Sequence, residues 1–139
     1  GLIENRFINS NSYIGRYFFT PQDLDSSCPI QMVLAGHPSN TTTIEFTIEF
    51  GHVTEDDTVY TTNPGLTPGK ETVTFSRSVK AGETAFFTFD LDISDVLSRR
   101  DGGQPDFICI SIHPSTITGT FDLMALEGNY TKWCEGGHI

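Results

Sequence analysis

The sequence lacks most of the features from which a function is usually assigned. No stretch approaches the roughly 18 consecutive apolar residues of a membrane span. The chain opens with Gly1, and no basic segment followed by an apolar run stands near it, so no targeting signal indicates a location. The motifs G-x-S-x-G, H-E-x-x-H, G-x-G-x-x-G and the P-loop are absent as well. We therefore expect no enzyme and no membrane insertion.

Positive charge is also scarce. Eight basic residues stand against eighteen acidic ones, which gives a formal net charge of −10. Such a chain repels phosphate backbones, so nucleic acid is excluded as an expected partner. Only Glu55, Asp56 and Asp57 are adjacent acidic residues, and the remaining carboxylates are spread along the chain. This distribution is typical of a solubilising surface.

Cysteine is rare and shows no metal-binding or redox spacing. The three cysteines, Cys28, Cys109 and Cys134, form no C-x-x-C pair and cannot all be bridged within one chain. Cys109 lies in an apolar run, where a thiol behaves as a small buried hydrophobe. A bridge between Cys28 and Cys134 stays open as the less favoured alternative.

What the sequence does contain is a strong two-residue alternation. It is clearest from Thr42 to Gly51, where isoleucine and phenylalanine alternate with glutamate and threonine. One face of such a strand is dry and the other is wet, as in an antiparallel sheet. The same alternation predicts further strands at Tyr13–Phe19, Ile30–Leu34, Thr72–Arg77, Thr84–Ile93, Phe107–His113 and Gly119–Thr131, with a short one at Val59–Thr61.

Clusters of Gly, Pro, Asn and Asp separate these strands, and helical periodicity is nearly absent. A chain of 139 residues is the size of one domain. The sequence therefore predicts a single all-β domain over residues 1–139. We expect an antiparallel two-sheet β-sandwich of about eight strands, jelly-roll-like in its organisation.

The densest group of chemically capable residues is formed by Asp90, Asp92 and Asp95. Alternation places Asp90 and Asp92 on the wet face of a strand whose phenylalanines face the core. Ser94 is then expected to cap a short helical turn that contains Asp95. The cluster is predicted to be scaffold.

Other polar groups are equally well explained without a site, so we predict no catalytic residue, no metal and no cofactor. Glu45 and Glu49 lie on the same strand face, four positions apart in the sequence. The distance between their carboxylates is then too large for the catalytic pair of a glycosidase. No aspartate group matches the EF-hand pattern, and the histidines before proline are expected to be exposed loop residues. The aspartate groups considered are Asp23 with Asp25 and Asp101 with Asp106. The histidines considered are His37, His52, His113 and His138, and Ser115 stands close to His113 in the sequence.

Four aromatic residues are candidates for contact with a partner. They are Tyr13, Tyr60, Tyr130 and Trp133, whose rings could stack on a sugar face. Tyr130 and Trp133 lie at the end of the last predicted strand, where an aromatic ring more often seals a sandwich edge or a subunit contact. We favour a role at a sandwich edge or subunit contact, and carbohydrate binding remains the alternative.

Four stretches carry a resemblance to a known class of domain. They are Y-F-F-T-P-Q-D-L-D-S-S-C-P-I (17–30), A-G-E-T-A-F-F-T-F-D-L-D-I-S-D-V-L (81–97), D-F-I-C-I-S-I-H-P (106–114) and F-D-L-M-A-L-E-G-N-Y-T-K-W (121–133). Together they resemble the β-sandwich domains of tailed-bacteriophage virion proteins, of the tail-fibre or capsid-appendage type. The resemblance implies a non-enzymatic structural or adhesive domain on a virion surface, outside the cell. It would assemble with itself and other virion proteins, and a host glycan is a further candidate partner.

Overall fold

The computed structural model describes residues 5–21, 23–25, 27–53, 71–93 and 107–132. These residues form eight β-strands and no helix. The strands are β1 (Arg6–Phe7), β2 (Ile14–Phe19), β3 (Ile30–Pro38), β4 (Thr42–Val53), β5 (Glu71–Val79), β6 (Ala85–Leu91), β7 (Phe107–Thr116) and β8 (Phe121–Asn129).

The strands form two antiparallel sheets of four strands each. One sheet has the order β1-β8-β3-β6, and the other has the order β2-β7-β4-β5. Each sheet thus combines strands from the two halves of the chain, which is the arrangement of an eight-stranded jelly roll. The predicted all-β, two-sheet sandwich is confirmed.

Phenylalanine rings fill the space between the sheets. Phe46 of β4 is fully buried, and its ring centroid lies 5.2 Å from that of Phe7, 5.0 Å from that of Phe87 and 5.4 Å from that of Phe121. These three contacts are edge-to-face, the geometry that the aromatic quadrupole favours. Because these partners of Phe46 come from β1, β6 and β8, this one side chain packs against three strands of the opposite sheet.

The alternation that predicted the strands also predicted which side chains face the core. In β4 the side chains of Ile44, Phe46, Ile48 and Phe50 are buried, as are Phe87, Phe89 and Leu91 in β6. Asp90 and Asp92 lie on the exposed face, as predicted. Ser94 and Asp95 lie outside the described residues, as do Tyr60, Asp101, Asp106, Trp133, Cys134, His138 and the strand predicted at Val59–Thr61.

Three sequence predictions were wrong. β1 was not predicted, because two residues carry no periodicity, yet Phe7 is fully buried and Arg6 Nη2 donates to Asp122 Oδ2 at 3.1 Å. His37 and His113 lie inside β3 and β7 and are half-buried instead of exposed in loops.

The strands continue through the prolines that follow these histidines because each proline sits where a strand tolerates it. Pro38 is the last residue of β3, while Pro114 lies beside a shift in the β4–β7 register between Glu45 and Phe46. A bulge accommodates a residue that has no N–H to give to the ladder.

The cysteines behave mostly as the sequence suggested. Cys109 is buried, with 1% of its surface exposed, as predicted. Cys28 has a free thiol, and Cys134, its partner in the alternative bridge, lies outside the described residues.

The two lateral sides of the sandwich differ. On one side β5 and β6 meet, and there Phe75 stacks on Phe89 at 4.3 Å while Arg77 Nη1 donates to the Phe86 carbonyl at 2.7 Å. On the other side, the edge strand of one sheet is β2. In the other sheet the edge strand is β1, which pairs with β8 over two residue pairs. This second side is where the candidate site lies.

Candidate interaction site at the β2–β8 edge

Exposed aromatic side chains concentrate on the edge strand β2. Tyr17 and Phe19 are exposed over 58% and 67% of their surface, and Tyr13, which directly precedes the strand, over 45%. The alternation of β2 explains this, because Ile14 is buried and faces the core while Tyr17 and Phe19 project from the opposite face. A strand with three successive aromatics, Tyr17, Phe18 and Phe19, cannot direct all of them inward.

Two further exposed side chains belong to the neighbouring strand of the other sheet: Met124 lies on β8, and Tyr130 directly follows it. They are exposed over 61% and 37% of their surface. We refer to Tyr13, Tyr17, Phe19, Met124 and Tyr130 as the edge patch. Among the described residues, the other large apolar side chains with comparable exposure are Ile8, which follows β1, and Phe86, on β6.

Among the described residues, backbone contacts to the side of β8 away from β3 occur at its two ends. At one end the Leu123 N–H donates to the Asn5 carbonyl at 2.9 Å, and at the other the Asp25 N–H donates to the Thr131 carbonyl at 2.8 Å. Between these contacts no described residue pairs with β8 on the side away from β3.

An apolar groove of about 410 Å³ opens between β2 and β8. Its apolar lining includes Phe18 and Ile110 from one sheet and Ile30, Met32 and Leu126 from the other. Tyr17, Pro21, Gly128 and Tyr130 complete the lining, together with one charged side chain, that of Arg16. A volume of this size lies within the range of ligand pockets, about 300–1,000 Å³.

Arg16 occupies an unusual position, because it follows Ile14 at the two-residue spacing that places a side chain on the core-facing side of β2. Its Nη1 donates to the neighbouring Gly15 carbonyl at 2.9 Å, and no described carboxylate pairs with it. A charge that points inward from an edge strand discourages uncontrolled strand pairing. The same guanidinium has N–H groups left for an acceptor in the groove.

A small polar cluster surrounds Tyr130 at the end of the groove. The Tyr130 hydroxyl donates to Asp23 Oδ1 at 2.9 Å, and this hydrogen bond raises the pKa of Tyr130 above its ordinary value. Lys132 Nζ lies 4.0 Å from Asp23 Oδ2. The ring of Tyr130 is therefore held by its hydroxyl while its apolar part remains against the groove.

Two of the four aromatic candidates from the sequence can be placed at this site. Tyr13 and Tyr130 belong to the edge patch, whereas Tyr60 and Trp133 lie outside the described residues. The sequence reasoning missed Tyr17, Phe19 and Arg16. For the first two, the signal was the run of three aromatics. For Arg16, it was a cation at a position that alternation assigns to the core.

The other polar candidates are engaged elsewhere. The Ser115 hydroxyl donates to Glu45 Oε1 at 2.6 Å, so it contacts a carboxylate on the outer face and not His113. The buried Asp25 side chain accepts from the Ser27 N–H at 3.0 Å, which shapes the local turn. Within the described ranges, no three His, Cys, Asp or Glu residues come together as metal ligands.

Among the described residues, the site therefore offers exposed aromatic surface, an apolar groove and the Arg16 guanidinium. In the part of the chain that the structure describes, no helix is long and apolar enough to cross a membrane. No family model, no curated protein and no solved structure matches the chain.

Proposed function

We propose that this protein is a non-enzymatic structural domain that acts through protein–protein assembly at the edge patch. The observation that carries the proposal is the exposure of Tyr17 and Phe19 on an edge strand. Aromatic residues are enriched in the cores of protein interfaces, and exposed apolar patches on a folded domain mark interaction sites. Contact with a partner would remove these rings from water.

The setting that we propose is a virion surface, outside the cell. Two observations support it. The sequence resembles the β-sandwich domains of tailed-bacteriophage virion proteins, and the strand order is that of the jelly roll, an architecture used by many viral capsid domains. The strand order supports the setting only through a likeness of fold, and the same fold is compatible with other functions. The proposed partners are further copies of this chain and other virion proteins.

Sedimentation velocity between about 1 and 100 μM tests the assembly proposal, because contacts of micromolar affinity fall in this range. We expect a species larger than one chain whose population increases with concentration. The double variant Tyr17→Ser/Phe19→Ser should sediment as one chain with an unchanged melting temperature. If the unsubstituted protein sediments as one chain throughout, self-assembly through the edge patch is refuted.

Carbohydrate binding is the second candidate, and the groove provides the observation that favours it. Tyr17 and Tyr130 line the groove from different sheets, together with Arg16. Tyrosine rings can stack on sugar faces, and polar groups at the same place can orient hydroxyl groups. A glycan array tests this function. Carbohydrate binding predicts saturable binding to at least one glycan of the array. The variant Tyr130→Ala should abolish this binding, and Phe86→Ala should leave it unchanged.

A further inference from the structure

We propose that the groove between β2 and β8 binds a small amphipathic carboxylate of the fatty-acid type. The Arg16 guanidinium holds the carboxylate at one end of the groove, and the hydrocarbon chain lies along the apolar lining. This ligand binds without a second protein. Its binding therefore goes beyond the proposed assembly function, and neither proposal depends on the other.

The deepest residues of the groove lining are apolar. Ile30 and Met32 come from β3 of one sheet and Ile110 comes from β7 of the other, and all three are buried. Phe18 and Leu126 also line the groove and are half-buried. A hydrocarbon chain gains dispersion contacts with such side chains and gives up no hydrogen bonds to water. The lining therefore favours an apolar body.

The two ends of the groove differ in charge. Pro21 and Tyr130 mark one end, because the Tyr130 hydroxyl donates to Asp23, which follows Pro21 by two positions. Arg16 precedes Pro21 by five positions, most of them in the extended strand β2, and so lies at the other end. A carboxylate is repelled beside Asp23 and attracted beside Arg16. The ligand is therefore oriented with its head group at Arg16 and its chain directed toward Tyr130.

Charge complementarity at Arg16 specifies the head group. Arg16 is the charged residue of the groove lining, and no described carboxylate pairs with it. Its guanidinium can donate two parallel hydrogen bonds to a carboxylate. Because Arg16 is exposed, a carboxylate bound there stays in contact with water. The cost of removing its charge from water is therefore small.

The same features distinguish this ligand from other small molecules. A cationic amphiphile would be repelled by Arg16. A sugar that entered the groove would place hydroxyl groups against apolar side chains, and burying an unpaired hydroxyl group is costly. The lining follows the chain from Leu126 to Tyr130, four positions or about 13 Å at the usual strand rise, so a linear chain can lie along it.

Methyl NMR of the full chain locates the ligand. Hexanoate, octanoate and decanoate are titrated below the concentrations at which they form micelles. The methyl resonances of Met32, Ile110 and Leu126 should shift saturably, and those of Ile44 and Val79, which lie outside the groove lining, should not. Each added methylene group should lower the dissociation constant by about two- to fourfold. The proposal is overturned if no resonance shifts, if the shifts lie elsewhere, or if they do not saturate.

Decanamide, a neutral molecule of similar size to decanoate, tests the head group. It should bind about two- to fivefold more weakly than decanoate, the range of an exposed ion pair. Arg16→Gln should weaken decanoate binding by the same factor and leave decanamide binding unchanged. Lys132→Gln removes an equal charge beside Asp23, at the other end of the groove, and should affect neither ligand. Equal binding of acid and amide to the unsubstituted protein contradicts an anionic head group at Arg16.

A larger side chain in the lining tests the groove itself. Leu126→Trp should weaken decanoate binding by about tenfold or more, whereas Phe86→Trp, on the opposite lateral side, should not change it. If Leu126→Trp lowers the melting temperature strongly, the methyl shifts and Arg16→Gln decide the question. Glucuronate, which has a carboxylate and no hydrocarbon chain, should not bind. If glucuronate binds saturably in the groove and decanoate does not, the ligand is a sugar and the proposal is refuted.

Discussion

The matched pair Tyr17→Ser and Phe86→Ser gives the sharpest test of where the protein makes contact. Tyr17 is exposed over 58% of its surface and Phe86 over 57%, but they lie on opposite lateral sides of the sandwich. An aromatic side chain buries about 200 Å², so each ring offers roughly 120 Å² to a partner. At about 25 cal/mol per Å², covering that area contributes at most about 3 kcal/mol per contact.

Association retains only part of this value, because ordering of the interface offsets some of it. We therefore expect Tyr17→Ser to raise the dissociation constant for self-association by about ten- to a hundredfold. Phe86→Ser should change it by less than about twofold, since it removes a similar apolar area outside the patch. Sedimentation equilibrium measures both constants. The reasoning is refuted if the two variants weaken association equally, because the effect would then follow apolar area and not position.

Three further predictions concern the core, the tyrosine cluster and metal. Phe46→Ala should lower the free energy of unfolding, measured by urea titration, by about 3–5 kcal/mol. Phe86→Ala should change it by less than about 1 kcal/mol. If the two variants lose similar amounts of unfolding free energy, the packing described is contradicted. Asp23→Asn should lower the pKa of Tyr130 toward its ordinary value, which ultraviolet titration at alkaline pH would show. Because folding raises this pKa, the hydrogen bond stabilises the protein below the ordinary tyrosine pKa, and that contribution is lost as pH rises through the higher folded value. EDTA should leave the melting temperature unchanged, and a decrease of several degrees that calcium reverses would contradict the prediction that no metal stabilises the fold.

The sequence predicted the fold well where one face of a strand is buried. β4 and β6 alternate without interruption, and the phenylalanines on one face of each strand, Phe46, Phe50, Phe87 and Phe89, were assigned correctly to the core. The two residues of β1 were missed, because Arg6 and Phe7 are too few to show a period. Their position depends on a buried ring and a pairing with β8 more than a hundred residues away, and neither is encoded locally.

The candidate site was less predictable for a related reason. The groove arises where β2 and β8 approach each other from different sheets, so no single stretch of sequence contains it. Tyr13 and Tyr130 were selected as aromatic residues that could be exposed, which is a property of the residue type and its local sequence. Arg16 lines the groove only because β2 packs beside β8, and that arrangement is visible only in the folded chain.

Concentration-dependent hydrogen exchange of the unsubstituted protein tests the central claim most directly. At concentrations where the protein associates, segments that contain β2 and β8 should exchange more slowly than at high dilution. Segments that contain β5 and β6 should be unaffected, because that side of the sandwich lies away from the edge patch. Protection confined to β5 and β6, or no protection at any concentration at which the protein associates, would contradict assembly through the edge patch.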